Sequence, residues 1–226
     1  MQTGILNLPR TSKNPGGYAW GLALAAALAG ICLTLLVGWH FSMRMPVLTG
    51  DVFLITKAPP VVGLLSNLGA FAWLAALVVL AFTISILPRQ GEQPALSFLV
   101  SAALLTLVLF VDDFFMFHDF WLRRWAEKMD AAYYAALAMA TLIHLFAFRN
   151  NILASRYGLL LVALVFFALS VAMDLFQEQG TALVGHWQYL IEDGIKWAGI
   201  CFWCAYHWSV CSAVLADSSA QTHHRA

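Results

Sequence analysis

Apolar residues in this chain run in long blocks separated by short polar breaks. Six blocks approach or exceed the roughly 20 residues that a helix needs to cross a hydrocarbon core: residues 17–40, 61–87, 95–117, 131–148, 157–176 and 187–216. The fourth is the shortest, at 18 residues, and the sixth is expected to leave the membrane before Ala216. The breaks carry residues that stop helices: Pro46, Gly50 and Pro59-Pro60, then residues 88–94 with a proline at each end, then Arg149-Asn150-Asn151, then residues 180–185 with a glycine at each end. Arg123, Arg124, Glu127, Lys128 and Asp130 make the third connection a charged loop. The pattern predicts an all-α fold, an integral membrane bundle of six transmembrane helices over residues 17–216. A polar N-terminal segment, 1–16, and a polar tail, 217–226, flank it, and the tail is expected to fray. The sequence contains no internal repeat.

The first connection, residues 41–60, is the unusual one. Its stretch G-D-V-F-L-I-T-K-A, residues 50–58, is apolar but too short to span. It is expected to lie on the headgroups, with a cap over the bundle as the alternative. Orientation is only weakly encoded. With the N-terminus inside, six basic residues (Arg10, Lys13, Arg89, Arg149, Arg156, Arg225) face in and five (Arg44, Lys57, Arg123, Arg124, Lys128) face out. That is the expected orientation under the positive-inside rule, by a narrow margin.

Composition supports the bilayer as the solvent. The chain is 62% hydrophobic and 11% charged, against about 25% charged residues in a soluble domain. Its 226 residues leave room for one bundle and no separate soluble domain. A formal net charge of zero gives no case for nucleic acid as a partner. The four cysteines, Cys32, Cys201, Cys204 and Cys211, fall inside apolar blocks, which argues against a secreted disulfide framework. The first block is too long for a signal-peptide core of roughly 7–15 residues.

Charges embedded in apolar blocks are costly and mark function by default. Residues 109–119 read L-F-V-D-D-F-F-M-F-H-D, with Asp112 and Asp113 followed by His118 and Asp119. Residues 191–199 read I-E-D-G-I-K-W-A-G, with Glu192, Asp193 and Lys196. In a six-helix hairpin topology the ends of odd helices and the starts of even helices share one leaflet. Asp112, Asp113, His118, Asp119, Asp174, Glu192, Asp193 and Lys196 then converge there, together with Ser66-Asn67 and His40. The opposite half holds only His144, His207 and hydroxyls.

Asp112 and Asp119 are seven residues apart and stack on one face of a continuous helix, with Asp113 about 100° round. Glu192–Lys196 and Asp193–Lys196 are i,i+4 and i,i+3 pairs, which predicts a locally neutralised lysine. The remaining carboxylates cannot all stay ionised in a low dielectric, so some hold protons or a cation sits among them. The first mechanism this suggests is a divalent metal such as zinc on Asp112, Asp113, His118, Asp119, Asp174, Glu192 and Asp193, activating a water. Asp112, Asp113, His118, Ser66 and Lys196 are then the candidate catalytic groups, acting on a lipid or small-molecule substrate reached from the bilayer. A proton or cation pathway is the second option. The third is an ion-paired knot that fixes helix register in a structural or accessory subunit with a membrane-protein partner.

Other motifs have plainer readings. Ser66-Asn67 serves as interhelical hydrogen-bond glue unless Ser66 is catalytic. Cys201-x-x-Cys204 reads as small packing residues. Glu192-x-x-x-Lys196-x-x-Gly199 has the look of a retinal-binding lysine, but the chain has six blocks instead of seven and Lys196 sits near a helix start.

The strings S-N-L-G (residues 66–69), V-D-D-F-F-M-F-H-D (111–119) and E-D-G-I-K-W-A-G (192–199) resemble those of an uncharacterised family of bacterial multi-span membrane proteins. The resemblance implies a place in the bacterial inner membrane and no established activity. Asp119 stands where that family's string has Glu. The chain is more distantly similar to the membrane hydrolases that include alkaline ceramidases and progestin/adiponectin receptor-like proteins, which have seven helices and a zinc site of several His, an Asp and a Ser. Ser66, Asp112 or Asp113, and His118 match parts of that set, whereas the final helix lacks the closely spaced His pair.

Overall fold

The structure, a computed structural model, describes residues 15–50, 52–59, 61–87, 93–117, 130–176, 182, 185 and 187–225. Its described residues are mostly helical, and no strand occurs among them. The chain divides into two compact units, residues 1–62 and 63–226.

The first unit holds α1 (Pro15–His40), α2 (Met45–Thr49) and α3 (Val52–Thr56). After α1 the chain reverses through Ser42, whose φ of 51° is left-handed, and the Met43 amide closes onto the Gly38 carbonyl at 2.9 Å. α2 folds back on the last turn of α1. A Cβ at Gly38 would displace the end of the Met45 side chain and crowd Leu48, so the glycine lets α2 lie close to α1. The apolar part of the first connection is thus a short helix, with Val52 and Ile55 exposed.

The second unit contains α4 (Leu64–Ile86), α5 (Gln93–Phe115), α6 (Asp130–Ala147), the short α7 (Arg149–Leu153), α8 (Tyr157–Leu175) and α9 (Trp187–Arg225). Four stretches are long and apolar enough to cross a membrane: Leu64–Ile86, Ala95–Phe115, Tyr157–Leu175 and Trp187–Asp217. Ala27–His40 in α1 and Ala132–Ala147 in α6 are shorter apolar helices. The helix boundaries follow the sequence blocks closely, with two departures. α9 runs on to Arg225 where a frayed tail was expected, because residues 217–225 contain no proline or glycine to stop it. α5 ends at Phe115 and Met116 takes a left-handed φ of 50°, short of the end of the sequence block at Phe117.

α9 is the central element, packed between α8 and α4, while α5 packs against α4, touches α9 and meets α6. Two glycines permit the close crossings. A Cβ at Gly199 would lie 2.7 Å and 2.8 Å from ring carbons of Phe167 on α8. A Cβ at Gly69 would lie 3.2 Å from Ile200 on α9. Trp73, Phe167 and Trp203 fill the middle, with ring centroids 5.7 to 6.1 Å apart. Leu80, Leu99, Ala102 and Ala163 are fully buried around them.

Three threonine hydroxyls within the helices are satisfied by their own backbone, as hydrocarbon favours. Thr83, Thr106 and Thr141 each donate to the carbonyl four residues back at 2.8 Å. Thr106 also accepts the Trp203 indole N–H at 3.0 Å.

Candidate functional site

Lys196 sits ten residues into α9, one turn before Ile200, where α9 crosses α4 at Gly69. Asp113 comes to the same place from the last turn of α5. The Lys196 ammonium lies 3.0 Å from Asp113 Oδ1 and 3.8 Å from Asp193 Oδ1. The indole N–H of Trp73 on α4 donates to Asp113 Oδ2 at 3.2 Å. Each oxygen of this carboxylate therefore has a donor, one from α9 and one from α4. Glu192 also acts electrostatically on Lys196.

The expected neutralisation of Lys196 by its own helix is thus incomplete. The closest carboxylate is Asp113, reached across helices, and the i,i+3 partner Asp193 is further away and about half exposed. The interhelical bond wins because Asp113 is largely buried and Asp193 can turn to water.

Asp112 points the other way, as its 100° offset predicts. It is 8% exposed and hydrogen-bonded by the Tyr133 phenol at the start of α6. The next residue, Tyr134, donates to Asp174 Oδ2 on α8 at 2.8 Å. Two adjacent tyrosines thereby tie α6 to α5 and to α8. At the start of α9, the buried Gln188 amide donates to the Met173 carbonyl at 3.4 Å.

The structure thus brings Asp113, Asp193 and Lys196 together, with Ser66 beside them, and places Asp112 and Asp174 on separate tyrosine contacts. Ser66, Gly69, Asp113, Asp193, Lys196 and Trp197 line a void of about 10 Å³, at the lower limit for one water. Among the described residues no three His, Cys, Asp or Glu side chains are grouped as metal ligands. His118 and Asp119, which completed the expected metal set, lie outside the described residues.

Three partners escaped the sequence reading: Trp73, Tyr133 and Tyr134. Trp73 falls seven residues after Ser66, two helical turns along the same helix, which was a usable signal. Tyr133 and Tyr134 open the fourth apolar block without any charge beside them to mark a partner. At the opposite end His144 bonds Ser101 at 2.8 Å through Nδ1, and His207 is buried against the rings of Trp203 and Tyr206. Cys201 and Cys204 are half-buried on α9 and Cys211 is buried, all three as free thiols.

No curated protein and no solved structure matches the chain. A family model described as a domain of unknown function, DUF8692, matches residues 21–210, a range that includes both carboxylate-rich strings. The chain belongs to the DUF8692 family.

Proposed function

We propose that this is a six-span membrane protein whose carboxylate–lysine cluster is an ion-paired knot setting the register of α4, α5 and α9, as in a structural or accessory subunit of a membrane complex. α1 and α6 supply the two further spans in this reading. The observation that carries it is the saturation of Asp113, with one oxygen on Lys196 and the other on the Trp73 indole. A carboxylate committed in this way holds helices together at low cost, because the buried charge keeps both partners. The tyrosine contacts to Asp112 and Asp174 extend the same device to α6 and α8.

A second reading, a metal-assisted hydrolase of a lipid-accessible substrate, rests on Ser66 lining the same void as Asp113 and Lys196. Metal analysis of purified protein separates the two, with wild type beside His118→Ala and Asp113→Asn. The knot predicts no stoichiometric metal in any sample and a marked loss of stability in Asp113→Asn. One metal per chain, lost in both variants, would replace the knot by the hydrolase.

A further inference from the structure

A groove of about 1050 Å³ opens along α9 on the face between α4 and the start of α8. That is the size of a small-molecule site, roughly 300–1,000 Å³. Its wall follows α9 from Cys201 to Ala213, a length of ~18 Å at helical rise. Cys201 stands near the middle of the span Trp187–Asp217. The groove therefore covers a little over one leaflet of a core about 30 Å thick. It lies at the opposite end of α9 from Lys196, since Ser209 is thirteen residues further on, ~20 Å along the axis.

The lining is zoned. Toward the middle of the membrane it is apolar and small, with Ala72 and Cys201. Toward the other end stand the Arg156 guanidinium, just before the first residue of α8, and the hydroxyls of Ser209 and Ser212. Among the described residues Arg156 has no acidic partner, and neither hydroxyl has a protein hydrogen-bond partner. An unneutralised guanidinium beside free hydroxyls, at headgroup depth above an apolar channel one leaflet long, is complementary to one kind of molecule in a bilayer.

We propose that this groove binds a glycerophospholipid, one acyl chain lying along Ala72 and Cys201 and the phosphodiester held by Arg156 and the serine hydroxyls. Guanidinium and phosphate match as a two-pronged, charge-assisted pair. Basic residues between transmembrane helices are a recurrent means of holding anionic headgroups. The site is separate from the Asp113–Lys196 knot, and its test is independent of what that knot does.

Native mass spectrometry of the purified full chain in detergent, titrated with palmitoyl-oleoyl-phosphatidylglycerol, tests the assignment. Expected is one retained lipid per chain, with at least fivefold weaker retention of the diacylglycerol of the same chains and no competition by glycerol 3-phosphate. Arg156→Gln is expected to bring phosphatidylglycerol down to the diacylglycerol level, and Arg156→Lys to restore part of the difference. Ala205→Phe, which fills the groove, is expected to weaken both lipids at least fivefold. Arg156 is exposed and unpaired, so its variants keep the fold, and unchanged melting in lipid-free detergent verifies this. Equal phosphatidylglycerol retention by wild type, Arg156→Gln and Ala205→Phe would overturn the proposal. So would full displacement by glycerol 3-phosphate, which marks a free anion site, or a lipid-insensitive dimer lost in Ala205→Phe, which marks a second copy of the chain as the occupant.

Discussion

Asp113 concentrates the energetics of the cluster in one side chain. Replacing Lys196 by Met leaves a largely buried carboxylate with the Trp73 indole as its remaining interhelical donor, and removing one partner of a buried pair costs about 3–5 kcal/mol. The double variant Lys196→Met/Asp113→Leu should recover most of that loss, since exchanging the whole pair for apolar groups is often neutral. Denaturation in bicelles measures both, and equal losses in single and double variants would contradict the pairing. Trp73→Phe keeps an aromatic ring in the core but removes the N–H together with part of the indole; loss of a hydrogen bond to a charged group predicts about 1.5–3 kcal/mol, and the smaller ring adds to it. At this scale the sequence was half legible. Charges in apolar blocks announce themselves, as Asp112, Asp113 and Lys196 did. Their partners do not, because a tryptophan forty residues upstream and a pair of tyrosines look the same whether they touch lipid or a carboxylate.

Among the helices, contact distance is set by glycines in the S-N-L-G and E-D-G-I-K-W-A-G strings. Gly199 lies against Phe166 and Phe167, and Gly69 against Ile200. Gly199→Ala forces its methyl into the Phe167 ring and should cost about 1–3 kcal/mol, the usual range for overpacking. Gly194 is in the same helix with no atom within 4 Å of a built Cβ. Gly194→Ala should therefore be neutral or stabilising by up to about 1 kcal/mol through helix propensity. The same denaturation assay ranks them, and a reversed order would contradict the α8–α9 crossing. Helix positions were the most legible feature of the chain, because long apolar blocks between prolines leave few alternatives. Their ends were less so. Nothing in F-F-M-F-H-D marks Met116 as left-handed, so the end of α5 at Phe115 was not legible.

Across the whole molecule, alternating helix direction sorts the polar groups into two sets. Asp113, Asp193, Lys196 and Ser66 gather where α4 begins, and Ser155, Arg156 and Ser209 where α8 begins. The six-span reading places those two helix starts on opposite membrane faces. Single cysteines at Leu64 and Ala154, in a background without native cysteines, should then react with an impermeant maleimide from opposite sides of sealed vesicles. Labelling of both from one side would rule out that topology. The unbroken course of α9 gives the two polar sets a mechanical relation. Its 39 residues contain no proline, the usual cause of a sharp kink, so it has no such joint at which to flex. Any tilt of such a rod about its crossings at Gly69 and Gly199, near its first third, would move its two ends in opposite senses and the longer arm further.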